Sequence, residues 1–244
     1  MISSESTLQN CVIRTFDGQF DLAALAYHHP QRYPYLLQSV AHGTAIARFD
    51  ILFAFPGESI ALNQLNKESD FLSQLDQQYA KEQCERDAKL DSLPFHGGWF
   101  LYLGYELAQQ VEPILQLPDA SDTLPVAFAC RCPAAVIWDH QLQELILVAE
   151  ADQVALLDTM QADLEALTTP PEIPLTISGL SEDPAHQFTD GVAKIKHYIV
   201  EGDIFQVNLS RAWYADVASE DDLPMGLYQR LCQSNPAPFA ALVP

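Results

Sequence analysis

The chain has 244 residues, 48% of them hydrophobic, and a formal net charge of -21 from 12 basic and 33 acidic side chains. That length and apolar content support one large core or two smaller ones. The charge excludes a nucleic-acid groove and an anionic membrane surface as partners, since both need clustered Lys and Arg. The opening MISSESTLQNCVIRTFDG lacks the basic-then-apolar order of a signal peptide. No stretch has the length and apolarity to span a bilayer, so a cytoplasmic protein is expected. The five cysteines are scattered, which favours reduced thiols over disulfides or a metal site. Cys130 and Cys132 are two apart, so strand alternation puts both on one face.

Taken in order, residues 11–15 read as a strand and 21–28 as a short helix. His28 and His29 have no ligand partner at helical spacing and read as a solvated helix end. A strand over 35–39, a Gly-containing turn at 41–44 and a strand over 45–55, closing at Pro56-Gly57, form a hairpin. Arg48 and Asp50 share a face of that second strand and read as an exposed, weak charge pair. Residues 68–89 are polar and helical, with Phe71, Leu72, Leu75 and Tyr79 in one stripe. The stretch PFHGGWFLYLGYEL over 94–107 opens on a glycine pair that permits positive φ and continues as an aromatic strand. It lacks the Lys and the spacing of a phosphate loop, so the glycines read as structural and His96 as a loop histidine.

Strands over 134–138 and 144–148 flank a polar turn at 139–143. A helix follows over 151–167, with Val154, Leu157, Met160 and Leu164 on one side. Residues 168–184 contain four prolines and little periodicity, and read as a linker. The organisation is therefore a domain over 1–167, a linker over 168–184 and a second region over 185–244.

In that second region Phe188, Val192, Ile195, Tyr198 and Ile199 lie on one helical face, with Thr189 or Asp190 as cap and Gly202 as stop. The period then changes to two, which predicts a strand over 204–214 with Gln206 and Asn208 on its polar side. A helix over 220–234, capped by Asp221 or Asp222, precedes an apolar run at 239–243. That run reads as a strand lacking its partner. The fold class is α+β, mainly antiparallel sheets flanked by helices. No nucleophile triad, metal-spaced His/Cys set or phosphate loop is present.

The string GDIFQVNLSR over 202–211 resembles the signature that opens the chorismate-binding domain of the anthranilate synthase and aminodeoxychorismate synthase component I family. Three more stretches resemble that family in the same order. They are Leu37-Gln38-Ser39 with Arg48-Phe49-Asp50, the Pro94-to-Leu107 segment, and Asn235-Pro236-Ala237-Pro238-Phe239. Arg-Phe-Asp is closer to the aminodeoxychorismate synthase branch, where the anthranilate branch commonly has Arg-Tyr-Ser and a Glu in place of Gln38.

The resemblance makes 1–167 the component I N-terminal domain and 185–244 the opening of the chorismate-binding domain. It implies that the complete enzyme aminates chorismate to 4-amino-4-deoxychorismate with magnesium, using ammonia from a glutamine amidotransferase subunit. The anthranilate reaction, or a non-catalytic tryptophan-binding domain, is the alternative. It also implies that the catalytic groups and magnesium ligands lie past residue 244. No catalytic or metal-binding residue is expected here, and the chain alone is expected to be inactive. Family members can bind tryptophan, and the corresponding positions are Ser39, Ile46, Ala47, Arg48, Phe49, Pro238, Phe239 and Ala240. Ser39 and strand-end backbone groups suit an amino acid's charged ends, and Pro238 and Phe239 suit an indole. Gln38 in place of Glu weakens the ammonium side.

Overall fold

Strands and helices contribute about equally to the described residues, with the strands gathered into antiparallel sheets. The computed structural model describes residues 2–8, 10–18, 20–41, 47–65, 70–82, 90, 92–118, 123–171, 173–217 and 223–243. In chain order the strands are β1 (Ile2–Thr7), β2 (Cys11–Asp17), β3 (Tyr35–Gln38), β4 (Phe49–Ala54), β5 (Ser59–Leu62), β6 (Gly98–Leu103), β7 (Ala127–Cys132), β8 (Ala134–Asp139), β9 (Glu144–Glu150), β10 (Ile177–Glu182), β11 (Trp213–Val217) and β12 (Ala240–Leu242). The helices are α1 (Leu22–His28), α2 (Phe71–Glu82), α3 (Ala108–Val111), α4 (Ala155–Glu165), α5 (Ala185–Glu201) and α6 (Leu223–Ser234). The α+β class with antiparallel sheets is the one expected. Residues group into two compact units, 1–171 with 231–244, and 172–230.

The first unit is built on a seven-stranded sheet of order β1-β2-β9-β8-β4-β3-β12, with every pair antiparallel. The central strands β8 and β9 are apolar at almost every position and buried on both faces. Register carries one row of side chains straight across: Phe16 pairs Leu145, Leu145 pairs Trp138 and Trp138 pairs Asp50. The neighbouring row, Thr15-Ile146-Ile137-Ile51-Leu37, points to the other face.

On that second face Ile137, Ile146 and Val148 form a core with Phe49, Ile51 and Phe95. A three-stranded sheet of order β5-β7-β6 packs there through Phe100, Cys130 and Cys132 against Tyr35 and Phe53. Tyr35 stacks on Phe100 with ring centroids 4.1 Å apart. Cys130 and Cys132 are both buried, with Cys132 Sγ 3.7 Å from the Cys130 carbonyl. Both are free thiols. Gly97, with φ +110°, could not carry a Cβ, because Glu150 occupies that space while paired to Arg131. This is the structural role expected of the glycine pair.

The first face is covered by helices. Asp21 caps α1, its carboxylate accepting from Ala24 N at 3.0 Å, and Leu22 and Leu25 are buried. Leu157, Met160 and Leu164 of α4 are buried too. Arg14 of β2 donates to Glu5 and to Asp158 and Gln161 on α4, and Tyr33 Oη donates to Asp163 at 2.6 Å. His29 lies 3.6 Å from Asp163 and His28 Nε2 lies 3.0 Å from the Thr168 carbonyl, so both have local partners.

The second unit, residues 172–230, pairs β10 with β11 and carries α5. Helix α5 starts at Ala185 after Pro184, earlier than the expected caps Thr189 or Asp190, and stops at Gly202 in the left-handed conformation. The segment expected to be a linker contains β10. The strand expected over 204–214 is replaced by irregular chain over 204–212, and only Trp213–Val217 pairs. A strand needs a hydrogen-bonded neighbour, and β10 runs beside only the last of these residues. Asp183 holds the chain just before β11, its carboxylate accepting from Ala212 N at 2.9 Å. Phe205 is 93% exposed. The capping residues Asp221 and Asp222 lie outside the described residues.

Residues 239–243 do have a partner. Ala240, Ala241 and Leu242 pair with Gln38, Leu37 and Leu36.

Ile137 is fully buried at the centre of the sheet. Ile137→Ala should cost about 2–5 kcal/mol, measured as a lower urea midpoint by circular dichroism. Leu142→Ala in an exposed turn should stay within about 0.5 kcal/mol of wild type.

Candidate functional site

The pairing of β12 with β3 gathers the predicted set at one end of the large sheet. Ala41 N donates to the Ala237 carbonyl at 2.9 Å, which ties the chain after β3 to the Asn-Pro-Ala-Pro stretch. Ala240 sits opposite Gln38. Pro238 is half-buried, whereas Phe239 is 75% exposed.

Ser39 is buried, and its N–H and hydroxyl are engaged across the hairpin. Its N–H donates to Asp50 Oδ1 at 2.7 Å and its hydroxyl donates to the Phe49 carbonyl at 3.0 Å. Ala47, which precedes Arg48, is also buried. Ile46 lies outside the described residues. The structure therefore brings Ser39, Phe49 and residues 238–240 to one sheet end.

Arg48 does not pair with Asp50. Its guanidinium stacks over the Phe49 ring at 4.5 Å and donates to Asp139, with Nη2 to Oδ2 at 2.7 Å and Nε at 3.1 Å. The reason is register. Phe49 pairs Asp139 directly, while Asp50 pairs Trp138 and faces the other way. Asp139 is 1% exposed. Burial pushes its carboxyl pKa up, but Arg48 and the N–H groups of Gln141 and Leu142 outweigh this and hold it below the ordinary value.

Asp50 is likewise buried. Besides Ser39 N, it accepts from Gln38 Nε2 at 3.3 Å and lies 3.0 Å from His140 Nε2. Asp139 and His140 escaped the sequence reading because they stand about ninety positions from Arg48 and Asp50, and only the strand pairing joins them. The one sequence signal was the polar turn itself, Asp-His at the end of an apolar run.

The sequence matches the chorismate binding enzyme family over residues 32–244. The chain belongs to that family. It is 32% identical over 166 residues to an anthranilate synthase component I-like protein of Synechocystis, an alignment covering 65% of this chain and 33% of that protein. It is 25% identical over 209 residues to aminodeoxychorismate synthase component 1 of Escherichia coli, covering 81% of this chain and 45% of that protein. Crystalline anthranilate synthase component I from Streptococcus pneumoniae superposes with a TM-score of 0.56 at 25% identity, covering 80% of this chain and 47% of that one. The chain spans between about a third and a half of the length of these curated relatives, and both synthase types are among them. Among the described residues no helix is long and apolar enough to cross a membrane, and no group of three or more His, Cys, Asp or Glu is placed to hold a metal ion.

The depressed Asp139 carboxyl gives a sign to test. Its pairing stabilises the fold fully above the ordinary carboxylate range, and that stabilisation is lost as pH falls through the lower, folded value. Asp139→Asn should lower the urea midpoint at pH 7, and the difference from wild type should shrink as pH falls below about 4. An unchanged midpoint at pH 7 would remove the pairing from the account.

Proposed function

We propose that this chain supplies the amino-terminal part of an aminodeoxychorismate synthase component I. In this reading the complete enzyme aminates chorismate to 4-amino-4-deoxychorismate, with ammonia delivered by a glutamine amidotransferase subunit. The observation that supports the branch is Asp50. It stands at the position where anthranilate synthases commonly carry Ser, and its carboxylate is built into the hairpin through the Ser39 N–H. Family membership over 32–244 supports the chorismate chemistry. Magnesium in the complete enzyme would act as a Lewis acid toward the substrate carboxylate and leaving hydroxyl. Its ligands, on the family resemblance, lie outside these 244 residues.

In this reading the catalytic groups, on the family resemblance, belong to the rest of the enzyme, and the part this chain plays is a framework one. The sheet end formed by β3, β4 and β12 would hold a free amino acid, tryptophan being the one the family resemblance suggests. Phe239 offers an exposed ring and Pro238 a flat apolar neighbour. The head of Arg48 is committed to Asp139. It would therefore contribute its stacked stem and not a free charge.

The second reading is anthranilate formation, favoured by the similarity to anthranilate synthase relatives. Product analysis separates the two. With chorismate, ammonia and magnesium, the enzyme extended by its family's remaining half should release 4-amino-4-deoxychorismate and not anthranilate, and the 244-residue chain should show no turnover. Product from the short chain would overturn the framework reading. Calorimetry with tryptophan on the same chain should give one saturable site that Phe239→Ala weakens about tenfold, the worth of one aromatic contact.

A further inference from the structure

The face of the large sheet opposite Phe49 carries a cleft of about 430 Å³, open beside the first turn of α1. This is within the size range of small-molecule sites. Its floor is part of the row that register lays across the sheet: Gln38, Asp50 and Trp138. Phe20 and Asp21 form the wall at the start of α1, and His140 closes another side, its ring edge-on to Trp138 at 6.2 Å.

Two features decide what such a cleft takes. The first is charge. Asp50 is 6% exposed and Asp21, also in the lining, is exposed to solvent, whereas no Lys or Arg lines the cleft. The cation closest in sequence, Arg48, is held by Asp139. The partners of Asp50 are the Ser39 N–H and the Gln38 amide, both neutral donors, and the His140 ring, whose Nε2 lies 3.0 Å away. The second feature is aromatic surface. Trp138 and Phe20 are in the lining, and aromatic side chains favour an ammonium and an apolar stem together. A carboxylate in the ligand would face Asp21 and Asp50 with no guanidinium or ammonium to receive it.

We propose that this cleft binds a small organic cation, a primary amine on an apolar or aromatic stem that lacks a carboxylate. It adjoins the amino-acid site proposed above, since Gln38 of its floor stands opposite Ala240 and Asp50 accepts from the Ser39 N–H, but it opens on the other face of the sheet from Phe49. Asp50 and Trp138 face one side of the sheet, and Phe49 with Ile137 faces the other.

Calorimetry at pH 7 with phenethylamine, and with phenylalanine as its carboxylate-bearing counterpart, tests the assignment on the 244-residue protein. Phenethylamine should bind at one saturable site and phenylalanine at least tenfold more weakly. Asp21→Asn keeps the helix cap, because Asn caps as well as Asp. It removes one solvent-facing charge and should weaken phenethylamine by roughly threefold. Asp50→Asn should abolish binding, with its fold checked by circular dichroism. Three results would overturn the proposal: no saturable heat with phenethylamine, equal affinity for phenylalanine, or an Asp21→Asn protein that binds as wild type does.

Discussion

A carboxylate taken out of water must be given donors or a counter-charge, or it will not stay ionised. Asp50 and Asp139 present that requirement side by side at one end of the large sheet, on adjacent strands and opposite faces. Asp139 is answered by Arg48 and by two N–H groups of its own turn, which fixes the β8–β9 corner. Asp50 is answered by the Ser39 N–H, the Gln38 amide and His140, which fixes the end of β3 against β4. Between them the two residues define how the strand ends meet. The placement of Ser39, Phe49 and β12 follows from it.

Antiparallel register then divides the chemistry between faces. One face is apolar apart from its ends, where Asp139 pairs with Arg48, and receives the smaller sheet through Tyr35, Phe53 and Phe100. The other carries the polar and charged fastenings of the helices, Arg14 to α4 and Tyr33 with Arg32 to Asp163. Burial and the bond to Asp163 push the Tyr33 hydroxyl well above its ordinary pKa, so it remains a donor at any physiological pH. A slip of one residue in β4 would exchange Asp50 with Phe49 and place a carboxylate in the apolar core. The register is therefore protected by the same side chains that build the site.

The elements most legible in the sequence were those whose alternation has a buried face on each side of a sheet. Strands β2, β3, β8 and β9 and helices α1 and α4 fall close to their expected spans. β1 was invisible because ISSEST has no apolar period; it is an edge strand held by pairing to β2. The irregular chain over 204–212 shows the converse. Its alternation is clear, yet alternation cannot supply a neighbouring strand. In the site, Ser39 and the Asn-Pro-Ala-Pro-Phe stretch were legible from motif order, but their partners were not. Arg48 and Asp50 looked like a pair because they are two apart. Each has instead the partner that a strand far along the chain brings to it.

β12 joins β3 across roughly two hundred residues, a non-local contact of the kind that slows folding. Until residues 240–242 arrive, the backbone of β3 on that side presents unpaired groups, and residues 172–230 are an excursion whose two ends must be drawn together. During synthesis the hairpin edge therefore waits until residues 240–242 have emerged from the ribosome. That interval is when the nascent chain is most open to pairing with a neighbour.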